Sequence, residues 1–102
     1  MEAIGEQTSK RPADLVLSAT LDMGAVETLH PALDAIVRAN RSVIIDAREV
    51  ERVHGGAVQM LWAFQRHLEA RGLHCRWRAP SDRFCLAWKQ LGLPELERPT
   101  GE

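Results

Sequence analysis

The sequence lacks an excess of charge of either sign, because 13 Lys and Arg stand against 14 Asp and Glu, a formal net charge of -1 at pH 7. Nucleic-acid binders carry a basic patch and a basic balance, so nucleic acid is not the expected partner. Each apolar stretch is soon interrupted by polar residues, and "MEAIGEQTSKRPAD" lacks the hydrophobic region of a signal peptide. We expect a cytoplasmic protein with no direct membrane insertion.

Motifs for catalysis and for metal binding are also absent. Cys75 and Cys85 form no CxxC pair, and the four histidines show no zinc-ligand spacing with each other or with the cysteines. No Walker-type or Rossmann-type glycine pattern occurs, and the "HGG" at 54–56 has no nucleophile elbow beside it. A Cys85–His67 dyad is conceivable only through spatial contact. We therefore expect no catalytic residue, no metal and no cofactor, and we expect both cysteines to be reduced and protected near the core.

The chain has the length and the apolar content of one ordinary domain, with 102 residues of which 45% are hydrophobic. Residues 1–13 are polar, contain Gly and Pro and show no period, which predicts a flexible N-terminal segment. The predicted domain covers residues 14–98, and residues 99–102 form a C-terminal tail.

Three segments have strand patterns. "DLVLSATLD" (14–22) alternates with a period of two, which predicts a strand with one buried face. "SVIID" (42–46) is short and β-branched, which predicts a central strand. "HCRWR" (74–78) alternates again, with its polar side chains on the face away from the helices. The residues expected on the core side of the alternating strands are Leu15, Leu17, Ala19, Leu21, Cys75 and Trp77.

Apolar residues at helical spacing predict three helices, over Met23–Asn40, Ala57–Arg71 and Asp82–Leu91. Pro31 predicts a kink in the first helix, or a first turn that breaks and restarts there. The last two helices are each followed by Gly-Leu, which is typical of a C-terminal cap, and Ser81 is the expected N-cap of the third. The residues expected to face the core are Val26, Leu29, Leu33, Ile36, Val37, Ala57, Leu61, Phe64, Leu68, Phe84, Trp88 and Leu91.

The alternation of strands and helices predicts an α/β fold with a mainly parallel sheet of about four strands. If every crossover steps in the same direction along the sheet, all the helices pack on one face. The polar face of "HCRWR" favours that arrangement. A doubly wound sheet, with helices on both faces, is the second interpretation.

The segment "RVHGGAVQML" (52–61) is unusual because the helix that follows it does not open with Ser, Thr, Asp or Asn. We expect Gly55 and Gly56 to leave several backbone N–H groups uncovered, so that a carbonyl or carboxylate of a partner could approach. The alternative is that the glycines only provide a tight turn. Further along the helix, Gln59, Trp62 and Arg66 fall away from the buried stripe. Trp62 is either an interface anchor or a side chain buried against a neighbouring element.

Four segments in order, "LSATLDMGAVETLHPAL", "VIIDAREVERVHGGAVQML", "EARGLHCRWRAPSDRF" and "LGLPEL", resemble the STAS domain of bacterial anti-sigma factor antagonists. The resemblance covers about residues 14–98. It extends to small stand-alone proteobacterial STAS proteins, both those of chemotaxis operons and the cytosolic STAS subunit of the phospholipid-trafficking ABC transporter. Gln59 and the "RWRAPSDRF" stretch favour the chemotaxis type.

The resemblance implies a non-enzymatic protein-interaction module of a bacterial signalling complex, with a kinase-like protein as its partner. The alternative is a subunit that stabilises the ATPase of the ABC transporter. The phosphorylatable hydroxyl of the family would fall at Gly56 or Gly55, so the resemblance implies no phosphorylation site in this chain. It also implies that Asp46 orients the following loop by accepting backbone N–H groups. The candidate partner-binding residues are Asp46, His54, Gly55, Gly56, Gln59, Trp62 and Arg66.

Overall fold

The computed structural model describes residues 12–99. The predicted flexible segment 1–13 and the tail 99–102 therefore lie almost wholly outside the described residues. Within them the chain forms five short strands and three helices. Their bounds are β1 Leu15–Val16, β2 Thr20–Leu21, α1 Met23–Ala39, β3 Val43–Asp46, β4 Arg52–Val53, α2 Gly55–Glu69, β5 Cys75–Arg78 and α3 Asp82–Gln90.

All strand pairs are parallel, which confirms the predicted α/β class. One sheet has the order β1-β3-β5 with β3 in the centre, as predicted, and a second sheet pairs β2 with β4. In the larger sheet Ile45 is the register partner of both Leu15 and Trp77. The expected single sheet of about four strands is thus divided into a three-stranded and a two-stranded sheet.

The division arises because the predicted strand 14–22 bends in its middle. Leu17 still donates its N–H to the Asp46 carbonyl at 2.9 Å, but the Ala19 carbonyl accepts from Glu51 and Arg52 at 2.8 and 3.0 Å. The chain therefore leaves β3 and pairs with β4 instead. Leu17 and Leu21 are buried as predicted, whereas Ala19 is exposed, because the bend removes it from the alternation.

Side-chain burial shows that the helices pack on one face of the sheet. Val43, Ile45, Cys75 and Trp77 point into the same core cluster as the buried side chains of the three helices. Arg76 lies on the opposite face, half-buried, where its Nε donates to Glu97 Oε2 at 3.0 Å. Helices therefore cover one face of the sheet, and the other face carries the charged side chain of Arg76 beside its register partner Ile44, which is buried.

Helix α1 runs from Met23 to Ala39 without a break, so of the two alternatives at Pro31, a kink or a restart, the restart is wrong. Proline removes one backbone hydrogen bond in mid-helix. Leu33 and Ile36 after the proline are buried, and Leu29 before it packs on the same core, so burial on both sides favours one continuous helix.

Both predicted glycine caps are present, and they explain one further error. Gly72 and Gly92 have φ of 75° and 74°, the left-handed conformation that glycine adopts without strain. Because the chain reverses at Gly92, Leu93 rather than Leu91 packs against the core, with its N–H bonded to the Trp88 carbonyl at 3.5 Å. Leu91 is 40% exposed, which contradicts the prediction that it faces inward.

The core contains an aromatic cluster, which we define as Trp62, Trp77, Phe84 and Trp88. Trp77 is fully buried, with its ring centroid 5.2 Å from Phe84 and 5.5 Å from Trp88. Its indole Nε1 donates to Gln65 Oε1 at 2.9 Å, which satisfies a polar atom that would otherwise be costly to bury. The cluster joins β5, α2 and α3.

The two cysteines differ in environment, and this difference predicts their reactivity. Burial raises the pKa of the Cys75 thiol, and the charges of Glu69 and Glu97 raise it further. Cys85 is half-buried, so the expectation that both thiols are protected holds only for Cys75.

A disulfide-exchange reagent should label one thiol in the native protein and two after denaturation. Cys85→Ser should abolish the native reaction. If Cys75 reacts at the same rate as Cys85, the placement of β5 is wrong.

Candidate functional site

The start of α2 is capped by a histidine. His54 has the extended conformation of an N-cap (φ -91°, ψ 133°), and its Nδ1 accepts from the Gly56 N–H at 3.0 Å. Its carbonyl accepts from Ala57 and Val58 at 2.9 and 3.3 Å. The helix therefore begins two residues earlier than predicted. The His54 ring forms the N-cap hydrogen bond that Ser, Thr, Asp or Asn usually forms.

This cap changes the expectation that several backbone N–H groups are uncovered. Gly56 and Ala57 are bonded to the side chain and the carbonyl of His54. Within residues 12–99, the Gly55 N–H is the one group of the first helical turn for which no acceptor is found. A partner can therefore reach a single N–H at the positive end of the helix dipole.

The two glycines are not equivalent. A Cβ atom built on Gly55 meets nothing within 4 Å, whereas one on Gly56 lies 3.2 Å from His54 Nδ1 and 3.4 Å from Met23 Sδ. Gly56 thus allows the capping ring to lie close to the helix. Gly55 borders open space, and neither glycine has a positive φ.

Met23 is a residue that the sequence analysis missed. It opens α1 directly after the N-cap Asp22, and it is 53% exposed. Its sulfur lies beside the start of α2, near the Cβ position of Gly56. The sequence signal for Met23 is its position: an apolar residue at the first position of a helix does not face the core and is therefore available for another contact.

Four of the predicted site residues form one line along α2, which we call the α2 stripe: Gly55, Gln59, Trp62 and Arg66. Their separations of four, three and four residues place them on one side of a helix. Gly55, Gln59 and Arg66 are exposed, and Trp62 is half-buried. Trp62 stands edge-on to Trp88 at 5.7 Å between ring centroids, and the Arg66 guanidinium carbon lies 5.6 Å from the centre of the Trp62 ring. Trp62 therefore packs on α3, and its role as an anchor stays a prediction.

Asp46 does not belong to this stripe. It is 8% exposed at the end of β3, and its Oδ1 accepts from the Arg48 backbone N–H at 3.0 Å. The Arg48 Nε bonds both carboxylate oxygens at 3.1 and 3.0 Å. Asp46 thus orients the start of the loop 47–51, as the resemblance implies. Its carboxylate is occupied by Arg48, and contact with a partner stays a prediction.

The loop 47–51 is held from the other side by Ser81. The Ser81 hydroxyl donates to the Val50 carbonyl at 2.6 Å and accepts from the Phe84 N–H at 3.1 Å, so one side chain both fixes the loop and caps α3. The turn before it contains Ala79 at φ 46°, a strained conformation for a residue with a Cβ. The His54 N–H then bonds the Leu21 carbonyl at 2.8 Å. These contacts fix where α2 begins.

No residues in the described range 12–99 form a group of three or more His, Cys, Asp or Glu that could hold a metal ion. Cys85 lines a cavity beside α3, whereas His67 lines a groove between α1 and α2, so the structure does not bring the conceivable dyad together. Between residues 12 and 99, no helix combines the length and the apolar character needed to cross a membrane.

Residues 4–97 match a family model described as "Mlab, STAS domain". The chain belongs to the STAS domain family. The family that the quoted motifs resemble is thereby confirmed at the level of the domain, and the observed parallel α/β fold agrees with it. STAS domains are generally non-enzymatic interaction modules. No curated protein matches the chain, and no solved structure matches it.

The different space around the two glycines of this STAS domain predicts opposite effects of alanine. Gly55→Ala should raise the free energy of unfolding by about 0.4–1 kcal/mol, because the methyl group meets open space and reduces the freedom of the unfolded chain. Gly56→Ala should lower it by up to about 1 kcal/mol, because the methyl group displaces the capping His54 ring. Urea denaturation measures both. Equal stability of the two variants would contradict the cap.

Proposed function

We propose that this STAS domain is a non-enzymatic module that binds one protein partner through the α2 stripe and the adjoining start of the helix. The observation that carries the proposal is that the α2 stripe, exposed at Gly55, Gln59 and Arg66 and half-buried at Trp62, leads to the uncovered Gly55 N–H. The partner supplies a carbonyl or carboxylate oxygen to that N–H group. Exposed Met23 beside it offers an apolar contact, and Arg66 at the far end of the stripe favours an acidic group.

Binding in this proposal is not regulated by phosphorylation at the helix start. Neither Gly55 nor Gly56 carries a hydroxyl, and the titratable side chain close to them, His54, uses its Nδ1 to cap the helix. In this proposal the affinity of the partner, and not a phosphorylation step, determines whether it stays bound.

This absence predicts the result of a phosphorylation assay. Incubation of the protein with ATP and a cognate kinase should add no phosphate within residues 52–61, as measured by intact mass and peptide mapping under non-acidic conditions. A Gly56→Ser variant serves as the control that restores a hydroxyl. Phosphohistidine at His54 in the unchanged protein would contradict this part of the proposal.

Two classes of partner fit the proposed surface. The first is a kinase-like protein of a chemotaxis-type signalling complex, which Gln59 and "RWRAPSDRF" favour. The second is the ATPase of a phospholipid-trafficking ABC transporter, for which the STAS domain is a cytoplasmic subunit. The lack of a hydroxyl at residues 55 and 56 favours the second class, because a stoichiometric subunit needs no phosphorylation step to release it.

Site-specific photo-cross-linking tests the surface and separates the two classes. A photoreactive phenylalanine analogue at Gln59 should capture one partner in living cells, whereas the same group at Arg38, exposed in the last turn of α1, should not. An ATPase recovered in constant ratio to the STAS domain supports the transporter subunit, and a kinase whose recovery changes with stimulus supports signalling. Capture from Arg38 but not from Gln59 would place the interface elsewhere.

A further inference from the structure

A cavity of about 400 Å³ lies beside α3, outside the proposed partner surface. One wall consists of Cys85, Trp88 and Lys89 of the helix, and the other consists of the segment that follows it, including Leu93, Leu96 and Arg98. This volume falls in the range of small-molecule sites in proteins. None of the residues of the α2 stripe lines it.

The walls of this cavity are fixed by hydrogen bonds. The Trp88 indole Nε1 donates to the Pro94 carbonyl at 2.6 Å, which ties the near end of the segment to α3. At the far end, the Trp77 N–H bonds the Glu97 carbonyl at 2.8 Å, and the Arg76 Nε bonds the Glu97 carboxylate at 3.0 Å. The segment 93–98 is therefore anchored to the helix at one end and to the edge of β5 at the other. A ligand would enter a cavity that is already formed, which lowers the entropic cost of binding.

The chemistry of the lining points to an amphipathic anion. Trp88, Leu93 and Leu96 give the cavity apolar walls, and two cations, Lys89 and Arg98, stand against one carboxylate, that of Glu95. Neither Lys89 nor Arg98 forms an ion pair with another residue in the described part of the chain. Two uncommitted cations beside an apolar wall suit a ligand with a hydrocarbon chain and an anionic end.

We propose that this cavity binds a free, single-chain amphipathic carboxylate, with its hydrocarbon chain against Trp88 and Leu96 and its carboxylate between Lys89 and Arg98. The volume favours one short or medium-length chain over the two chains of a phospholipid. The proposal does not depend on the identity of the protein partner, because no residue of the α2 stripe lines the cavity and the two surfaces meet only where Trp62 packs on Trp88.

Nuclear magnetic resonance of the 102-residue chain, labelled with ¹⁵N, tests the proposal with decanoate below its micelle concentration. The indole N–H of Trp88 and the amide of Leu93 should shift in a saturable way. Decanol, which has the same chain without the charge, should bind about tenfold more weakly, and decyltrimethylammonium should bind more weakly still. Vesicles of phosphatidylglycerol should not produce these shifts, which separates a free carboxylate from a lipid surface.

The paired variant Lys89→Glu/Arg98→Glu should weaken decanoate binding by about tenfold or more, whereas the matched reversal Arg38→Glu on α1 should leave it unchanged. Lys89, Arg98 and Arg38 are exposed, so all variants should stay folded; Lys89 and Arg38 each lie in the last turn of a helix, so a carboxylate there should lower the melting temperature slightly and by a similar amount in the two variants. The proposal is overturned if decanoate causes no saturable shift at Trp88, if the paired variant binds it equally well, or if only vesicles produce the shifts.

Discussion

The burial of the Trp77 indole is the constraint on which the rest of the structure depends. An indole contributes a large apolar area to a core, but its N–H must be bonded when it leaves water, and an unsatisfied donor costs about 1–3 kcal/mol. Gln65 supplies the acceptor from α2, and its own amide nitrogen donates to Glu69 Oε2 at 3.1 Å. This bond sets the rotation of α2 about its axis against β5. Because that rotation is set, the α2 stripe lies beside the buried face of the helix, with Gly55, Gln59 and Arg66 exposed and Trp62 half-buried against Trp88.

The start of α2 is set by a separate group of contacts. His54 is bonded through its N–H to β2, through its carbonyl to the first turn, and through its ring to Gly56. Asp46 and Ser81 hold the two ends of the preceding loop. The helix therefore begins at one defined residue, with a capped second N–H and an uncovered first one. A partner oxygen would meet a donor whose position does not change on binding, which favours affinity.

Much of this fold could be predicted from the sequence, because burial in α2, β3 and β5 follows simple periodicity. Ala57, Leu61 and Leu68 are fully buried as the helical spacing predicts, and Trp77 is buried as the alternation predicts. The bend at Ala19 could not be predicted, since it depends on the pairing of β2 with a distant two-residue strand. The inward orientation predicted for Leu91 is wrong for a related reason, because the turn at Gly92, and not the helical period, decides which leucine packs against the core.

The candidate site was predictable in outline but not in its bonding. The spacing of Gln59, Trp62 and Arg66 predicted one side of a helix, and the structure places them so, while Gly55 joins that side because the helix begins two residues earlier than predicted. The cap was missed because histidine is a rare N-cap, and the Trp62–Trp88 contact was missed because it joins two helices whose relative position the sequence does not specify. Gln65 was missed because a buried amide is recognisable only once its partner, the Trp77 indole, is known to face it.

The central claim is that the open start of α2 is a binding surface and not only a well-formed helix end. Its most direct test is the affinity of the Gly55→Glu variant for the partner captured from position 59, measured by titration calorimetry beside its thermal unfolding. Because the new side chain enters open space at the positive end of the helix dipole, the variant should be as stable as the parent protein or more stable by about 0.3–1 kcal/mol. The account predicts that it nevertheless binds the partner at least about tenfold more weakly, since its carboxylate covers the N–H group and repels an approaching oxygen. Unchanged affinity in a normally folded variant would contradict the account.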